Sequence, residues 1–187
     1  MYIKSKHEEK WENKYGPQQW ELQYRFMKNK LIDRKIKEFQ WLLVNNGLYT
    51  EDKLKKMNVS DGKCKLCTVD EEDIIHLLYD CETIGNVWCV INDLCSKLTS
   101  GAINESNAML GIPDILEEDL NNVIDMILLT SKWEIWKRRN VIIHQGVWIN
   151  DQYLVNAVKR AIKHNLTIAM HVEKNNQYMS QVLNTIM

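Results

Sequence analysis

The stretch CKLCTVDEEDIIHLLYDC, residues 64–81, decides how this chain is read. It sets Cys64, Cys67, His76 and Cys81 in the order C-x2-C-x8-H-x4-C, three thiols and one imidazole. That is a complete ligand set for one tetrahedral zinc ion. Asp61-Gly62 just ahead is a turn signal, and a C-x2-C pair on a tight turn aims two sulfurs at one point. A helix from Asp73 to Asp80 puts His76 and Asp80 one turn apart and leaves Cys81 just past its end. Four protein ligands leave no coordination position for water, so the spacing predicts one structural zinc rather than a catalytic one. The competing reading is a set of ordinary core Cys and His residues. Disulfides are a weaker alternative, because five Cys is an odd number, no export signal is present and a His completes the set. Cys89 and Cys95 are expected as small buried residues of the following helix.

Outward from this stretch, composition speaks for helices. Two Pro and seven Gly in 187 residues are too few for a turn-rich β fold, and seven Trp with 45% hydrophobic residues are ample for a core. No apolar run approaches the roughly 20 residues needed to span a membrane. Reduced Cys and the missing export signal lead us to expect an intracellular protein, in the nucleus, the cytoplasm or both. The net charge of −1 hides segregation. Residues 1–60 carry 13 Lys/Arg and 8 Asp/Glu, residues 61–130 carry 3 and 14, and residues 131–187 carry 8 and 3. Net charge alone therefore gives no support for nucleic-acid binding, although a folded chain can bring its basic ends together.

Along the chain, Gly16-Pro17 separates a helix ending near Tyr15 from another after Pro17. DRKIKEFQWLLVNNGL has Ile36, Phe39, Leu42 and Leu43 at helical spacing and stops at Asn45-Asn46-Gly47. Thr50 is expected to cap a short helix. Residues 83–98 carry a broad apolar stripe from Ile84 to Leu98. LTSGAINESN reads as a loop, residues 117–144 as the longest helix with Gly146 at its end, and residues 150–172 as a last strong helix. The tail NNQYMSQVLNTIM continues that helix or frays. The expected fold is all-α, a multi-helix domain with an embedded CCHC zinc finger. It divides into 1–62, 63–99 and 100–187, packed as one compact unit.

Three pieces of the sequence together resemble the C-terminal zinc-binding region of non-LTR (LINE-type) retrotransposon reverse transcriptases. They are KIKEFQWLLVNNGLYTEDKLKKM, CKLCTVDEEDIIHLLYDCETIGNVW, and AMLGIP followed by ILLTSKWEIWKRRN. The resemblance covers roughly residues 18–140. It implies Cys64, Cys67, His76 and Cys81 as the zinc ligands, with Trp41 and Trp88 packing around the finger. It also implies a module that helps hold element RNA or target DNA during target-primed reverse transcription. The chain has no polymerase Asp-Asp motif and no endonuclease carboxylates, so no catalysis is expected. The eight residues between Cys67 and His76 exceed the four of retroviral nucleocapsid knuckles, so the exposed-aromatic RNA mode of those knuckles is not transferred.

No Gly-rich phosphate loop and no nucleophile–base set appears. Asp70-Glu71-Glu72-Asp73 reads as a solvated loop and helix start rather than a divalent-ion site. Lys137, Arg138 and Arg139, behind Trp133 and Trp136, are the first nucleic-acid candidates, since Arg contacts phosphate bidentately and aromatic rings stack on bases. The competing reading makes the Trp residues core and the cations a helix-end cap. A second basic group is Lys28, Lys30, Arg34, Lys35 and Lys37, with Lys159, Arg160 and Lys163 extending it if the surfaces converge. The expected partner is nucleic acid, RNA before DNA, with a polymerase domain or another protein as a further partner and no membrane. The rival is a zinc-stabilised protein-interaction module, a domesticated retroelement fragment among its forms.

Overall fold

The computed structural model describes residues 5–99, 101–112, 117–172 and 177–186. Among these no strand forms, and the one isolated bridge is antiparallel, between Lys63 and Glu71. The elements are α1 (Lys6–Tyr15), α2 (Trp20–Gln23), α3 (Arg34–Val44), α4 (Glu51–Lys56), α5 (Gly85–Ser96), α6 (Glu105–Leu110), α7 (Glu118–Gln145), α8 (Asp151–Val172) and α9 (Gln177–Ile186). The expected all-α fold is observed. No helix among the described residues is long and apolar enough to cross a membrane.

α7 is the axis. Its 28 residues span roughly 42 Å, and Leu120, Ile124, Ile127, Leu128 and Ile135 are buried along it. It is apolar almost all round because α3, α5, α8 and α9 pack on different sides of it. Gly146 ends it in the left-handed conformation (φ 65°), its N–H donating to Ile142 O at 3.0 Å. Ser5 and Glu8 form a reciprocal cap at the start of α1. Trp11 Nε1 then donates to Val44 O at 2.9 Å, fixing α1 across the end of α3.

Buried polar residues also hold the amino-terminal helices to α7. Arg25 grips Asp125 through two bonds of 2.8 and 2.9 Å. Lys132, 0% exposed, donates to Gln40 Oε1 at 2.7 Å and Met109 O at 3.0 Å. Burial pulls its ammonium down to about 7 against a smaller opposing pull from Asp125.

Some local expectations change. Thr50 stands at the start of α4, but its hydroxyl donates to the Asp52 carboxylate and not to the helix backbone. The expected loop from Leu98 to Asn107 holds the start of α6, capped by Asn104 Oδ1 accepting from Asn107 N at 2.8 Å. The tail forms its own helix, α9, packed on α7 and α8 through Met179 and Val182. Cys95 is buried as expected, whereas Cys89 faces solvent, because the buried stripe of α5 runs through Val87, Trp88, Ile91 and Leu94.

Candidate metal centre

The hairpin 62–72 builds the first half of the site. Cys64 N donates to Asp70 O at 2.8 Å and Glu72 N to Gly62 O at 2.9 Å, folding the segment back on itself. The turn Cys64–Cys67 closes when Thr68 N donates to Cys64 O at 2.8 Å. That closure forces Thr68 into the left-handed region, φ 63°, which a β-branched residue adopts only under strain. The second half is a single helical turn. Asp73 Oδ1 accepts from Ile75 N at 2.9 Å and His76 N at 2.7 Å, capping it. The turn then widens to a π form over His76–Asp80, and Cys81 N donates to His76 O at 2.8 Å. This extra residue in the turn brings His76 and Cys81, five positions apart, to the same point.

The ligand atoms of Cys64, Cys67, His76 and Cys81 all lie within 4.8 Å of one another. Cys64 Sγ and Cys81 Sγ are 4.0 Å apart, and Cys67 Sγ is 3.4 Å from His76 Nε2. Tetrahedral zinc with sulfur at about 2.3 Å and nitrogen at about 2.0–2.1 Å requires separations of roughly 3.4–3.8 Å, so the donor set fits such an ion. The protons point the same way. Hydrogen bonding within the close Cys64–Cys81 pair holds the Cys64 thiol up and brings Cys81 down to about 5. One proton leaves easily, and a cation is needed to balance a second thiolate beside the first. Leu66 N at 3.4 Å from Cys64 Sγ and Thr83 Oγ1 at 3.1 Å from Cys81 Sγ supply further donors to the sulfurs. Sequence spacing did not point to Thr83.

Around the site, Trp88 is buried as expected, its Nε1 donating to Leu78 O at 2.9 Å and its ring against Tyr79. Trp41, expected to pack around the finger, is instead 47% exposed. The buried face of α3 is already filled by Ile36, Phe39, Gln40 and Leu43, and Trp41 falls on the other side.

The acidic stretch also needs correction. Glu71 and Asp73 are exposed, but Glu72 is 0% exposed and takes part in six hydrogen bonds. Its carboxylate accepts from Glu51 N at 3.1 Å and Lys65 N at 3.2 Å, and from Arg139 at 2.8 and 3.1 Å. Its own carbonyl accepts from Asp52 N at 3.0 Å. Arg139 also donates to Glu51 Oε1 at 2.8 Å and lies over the Trp136 ring. Lys65 and the Ser60 hydroxyl complete the surroundings of Glu51. The pair of carboxylates is thus balanced by two cations and shut away from water.

Arg138 and Arg139 are therefore not the exposed phosphate contacts expected of them. Arg139 is consumed by Glu51 and Glu72. Arg138, 2% exposed, reaches Asp151 Oδ1 at 3.0 Å and Thr83 O at 3.4 Å. Lys137 remains at the surface, paired with Glu134. Trp133 and Trp136 are half-buried against Phe39. Lys30, Arg34 and Lys35 are exposed, and Lys37 is partly so. Arg34 pairs only with its own helix neighbour Glu38.

Neither curated proteins nor solved structures give a match to the chain. Residues 4–88 match the model of the family described as zinc-binding in reverse transcriptase. This span holds all four converging residues, so over its first part the chain is similar to the zinc-binding region of reverse transcriptases, in line with the motifs it resembles.

Proposed function

We propose that this chain is a zinc-stabilised module that binds nucleic acid, RNA before DNA. In this reading it helps a retrotransposon reverse transcriptase hold element RNA or target DNA during target-primed reverse transcription. It works in the nucleus, the cytoplasm or both, beside a polymerase domain, and carries no catalysis of its own. The observation behind the reading is the three-thiol, one-imidazole cluster inside a segment that matches the zinc-binding region of reverse transcriptases. One structural zinc at Cys64, Cys67, His76 and Cys81 holds the hairpin to the turn. With four protein ligands the ion has no open position at which to activate water. The inward Arg138 and Arg139 are scaffold, and the exposed Lys28, Lys30 and Lys35 are free to meet phosphate, with Arg34 beside them held to Glu38.

The test is a titration of the zinc-loaded chain with single-stranded RNA, duplex RNA and duplex DNA at two salt concentrations. Tightest binding to single-stranded RNA, weakening as salt rises, is expected. Absent or salt-independent binding contradicts the reading. The second reading, a protein-interaction module, draws on the exposed Trp41, Tyr49, Val59 and Trp148. It gains ground if no nucleic acid binds and replacing those residues abolishes capture of a defined protein partner such as the polymerase domain.

A further inference from the structure

Tyr153, Ala157, Arg160, His164 and Ile168 recur along α8 at intervals of three and four, so they share one face. That face borders two grooves against α7. Tyr153, Ala157 and Arg160 line one of about 370 Å³ together with Lys137 and Arg138. His164 and Ile168 line one of about 460 Å³ together with Trp133, Lys30 and Lys35. Glu134 borders both, so the grooves meet there and follow the α7–α8 seam. The stretch of α8 from Tyr153 to Ile168 is roughly 22 Å long.

The charges along the seam favour an anion. Lys30 and Lys35 stand exposed at one end, and Lys137 and Arg160 at the other. Arg138 backs the groove of about 370 Å³, and its buried Nε has no hydrogen-bond partner. The acids nearby are already engaged. Glu134 pairs with Lys137 at 2.7 Å, Asp151 with Arg138 at 3.0 Å, and Asp33 accepts from Lys35 N at 2.8 Å. Aromatic surface is available beside the cations. Tyr153 is 54% exposed with the Arg160 guanidinium 5.6 Å over its ring, and Trp148, 57% exposed, lies against Arg138. Cations that track phosphate, with ring faces interleaved, suit unpaired bases, and a duplex offers no base faces to such rings.

We propose that the α7–α8 seam is the seat of a single nucleic-acid strand. Its phosphates follow Lys30, Lys35, Lys137 and Arg160, and its bases rest on Tyr153, Trp148 and the Trp133 indole. The inference rests on the nucleic-acid reading above and names the surface that reading left open. It moves the main contact from the Arg138–Arg139 pair to residues of α8 outside the segment matched by the family model.

The experiment compares four zinc-loaded full-length proteins in titrations with a single-stranded oligouridine at two salt concentrations. These are the parent, Tyr153→Ala with Arg160→Ala, Ala157→Glu, and Trp41→Ala on the exposed side of α3. Tyr153 and Arg160 are surface residues, so zinc content and helicity serve as the folding check for their variant. Loss of one stacked base should weaken binding by roughly 5- to 150-fold, and loss of the Arg160 contact should reduce the salt slope by about 0.7. Ala157→Glu, which sets a carboxylate in the groove, should weaken binding as well, while the α3 variant should bind like the parent. If both seam variants keep parental affinity and salt slope while the parent binds, the seam is not the seat and the nucleic-acid reading stands without it. Loss of binding only in the α3 variant also overturns the inference and moves the strand to α3. If the parent binds no RNA, both ideas fall, and the seam returns to the protein-interaction reading. As an independent readout, photocrosslinks from 4-thiouridine RNA should map to Tyr153, Trp148 or Trp133, and crosslinks confined to the Trp41 side of α3 contradict the proposal.

Discussion

Residues 61–84 take their order from four converging ligand atoms and from the hydrogen bonds gathered on Glu72, whereas α7 and α8 bury apolar side chains along most of their length. The two regions meet through the apolar core that Leu66, Leu77, Leu78 and Ile84 share with α7, and across charged groups as well. Arg139 inserts between Glu51 and Glu72, and Arg138 reaches Thr83 O, two residues beyond Cys81. A buried ion pair returns little net stability, because desolvation offsets most of the attraction, but an unpaired member is strongly unfavourable. The contrast teaches that residues 61–84 are built as a part whose fit on α7 is fixed by charge as well as by apolar packing. The donor set fits a metal that would set the segment's internal shape, and fixed charges help set the position in which it closes on α7.

The largest effect should come from removing the metal. Cys64→Ser, or a strong chelator, should release the segment 51–84, because a closed site draws much of its folding energy from the ion. Hydrogen exchange should rise steeply there and far less over residues 120–165. Equal loss of protection in both regions would contradict a division of labour between metal and apolar core. Next in size is Arg139→Ala, which leaves Glu51 and Glu72 facing each other without their main counter-charge. It should cost about 3–5 kcal/mol in denaturant unfolding, with zinc still bound in the folded fraction. A cost under about 1 kcal/mol would mean that water reaches the pair.

Lys132 tests the α3–α7 side of the comparison by pH. Its ammonium, near 10.5 in the unfolded chain, is held down to about 7 by burial in the folded one. Below pH 7 both states carry the charge and the folded state bears the whole burial cost. Between about 7 and 10.5 the folded state releases a proton that the unfolded state keeps, so stability gains as pH rises. The stability of the parent minus that of Lys132→Met should therefore climb through this window, and a flat difference would show the ammonium to be well solvated. The smallest effect belongs to Thr68. Thr68→Gly relieves the left-handed strain at the turn but adds freedom to the unfolded chain. A net gain of about 1 kcal/mol is expected in the zinc-loaded protein. A loss would indicate that the Thr68 hydroxyl, which donates to Cys67 O, outweighs the strain.

The sequence made the two regions legible to different degrees. The metal-site residues stood out because their chemistry is rare and their spacing does not depend on the rest of the chain. Long helices such as α7 and α8 followed from apolar periodicity with Gly146 as a stop. Glu72 could not be told from Asp70, Glu71 and Asp73, since all four have the same polarity. What separates them is the Lys63–Glu71 bridge, which turns Glu71 outward and its neighbour inward. Arg138 and Arg139 misled for a related reason. Adjacent cations at a helix end ordinarily meet water, and only tertiary structure sets the partners Glu51 and Glu72, 88 and 67 residues away, against Arg139. Trp41 erred the other way, because an indole on an amphipathic helix is expected inside, and α3 had already filled its buried face.

Zinc K-edge X-ray absorption on the purified chain, with metal quantified in the same sample, tests most directly whether one closed metal site shapes residues 61–84. The account predicts one zinc per chain, bound by three sulfurs and one nitrogen with no oxygen in the shell, and none retained by Cys64→Ser. Folded protein with little or no zinc, or a shell containing a water oxygen, would contradict it.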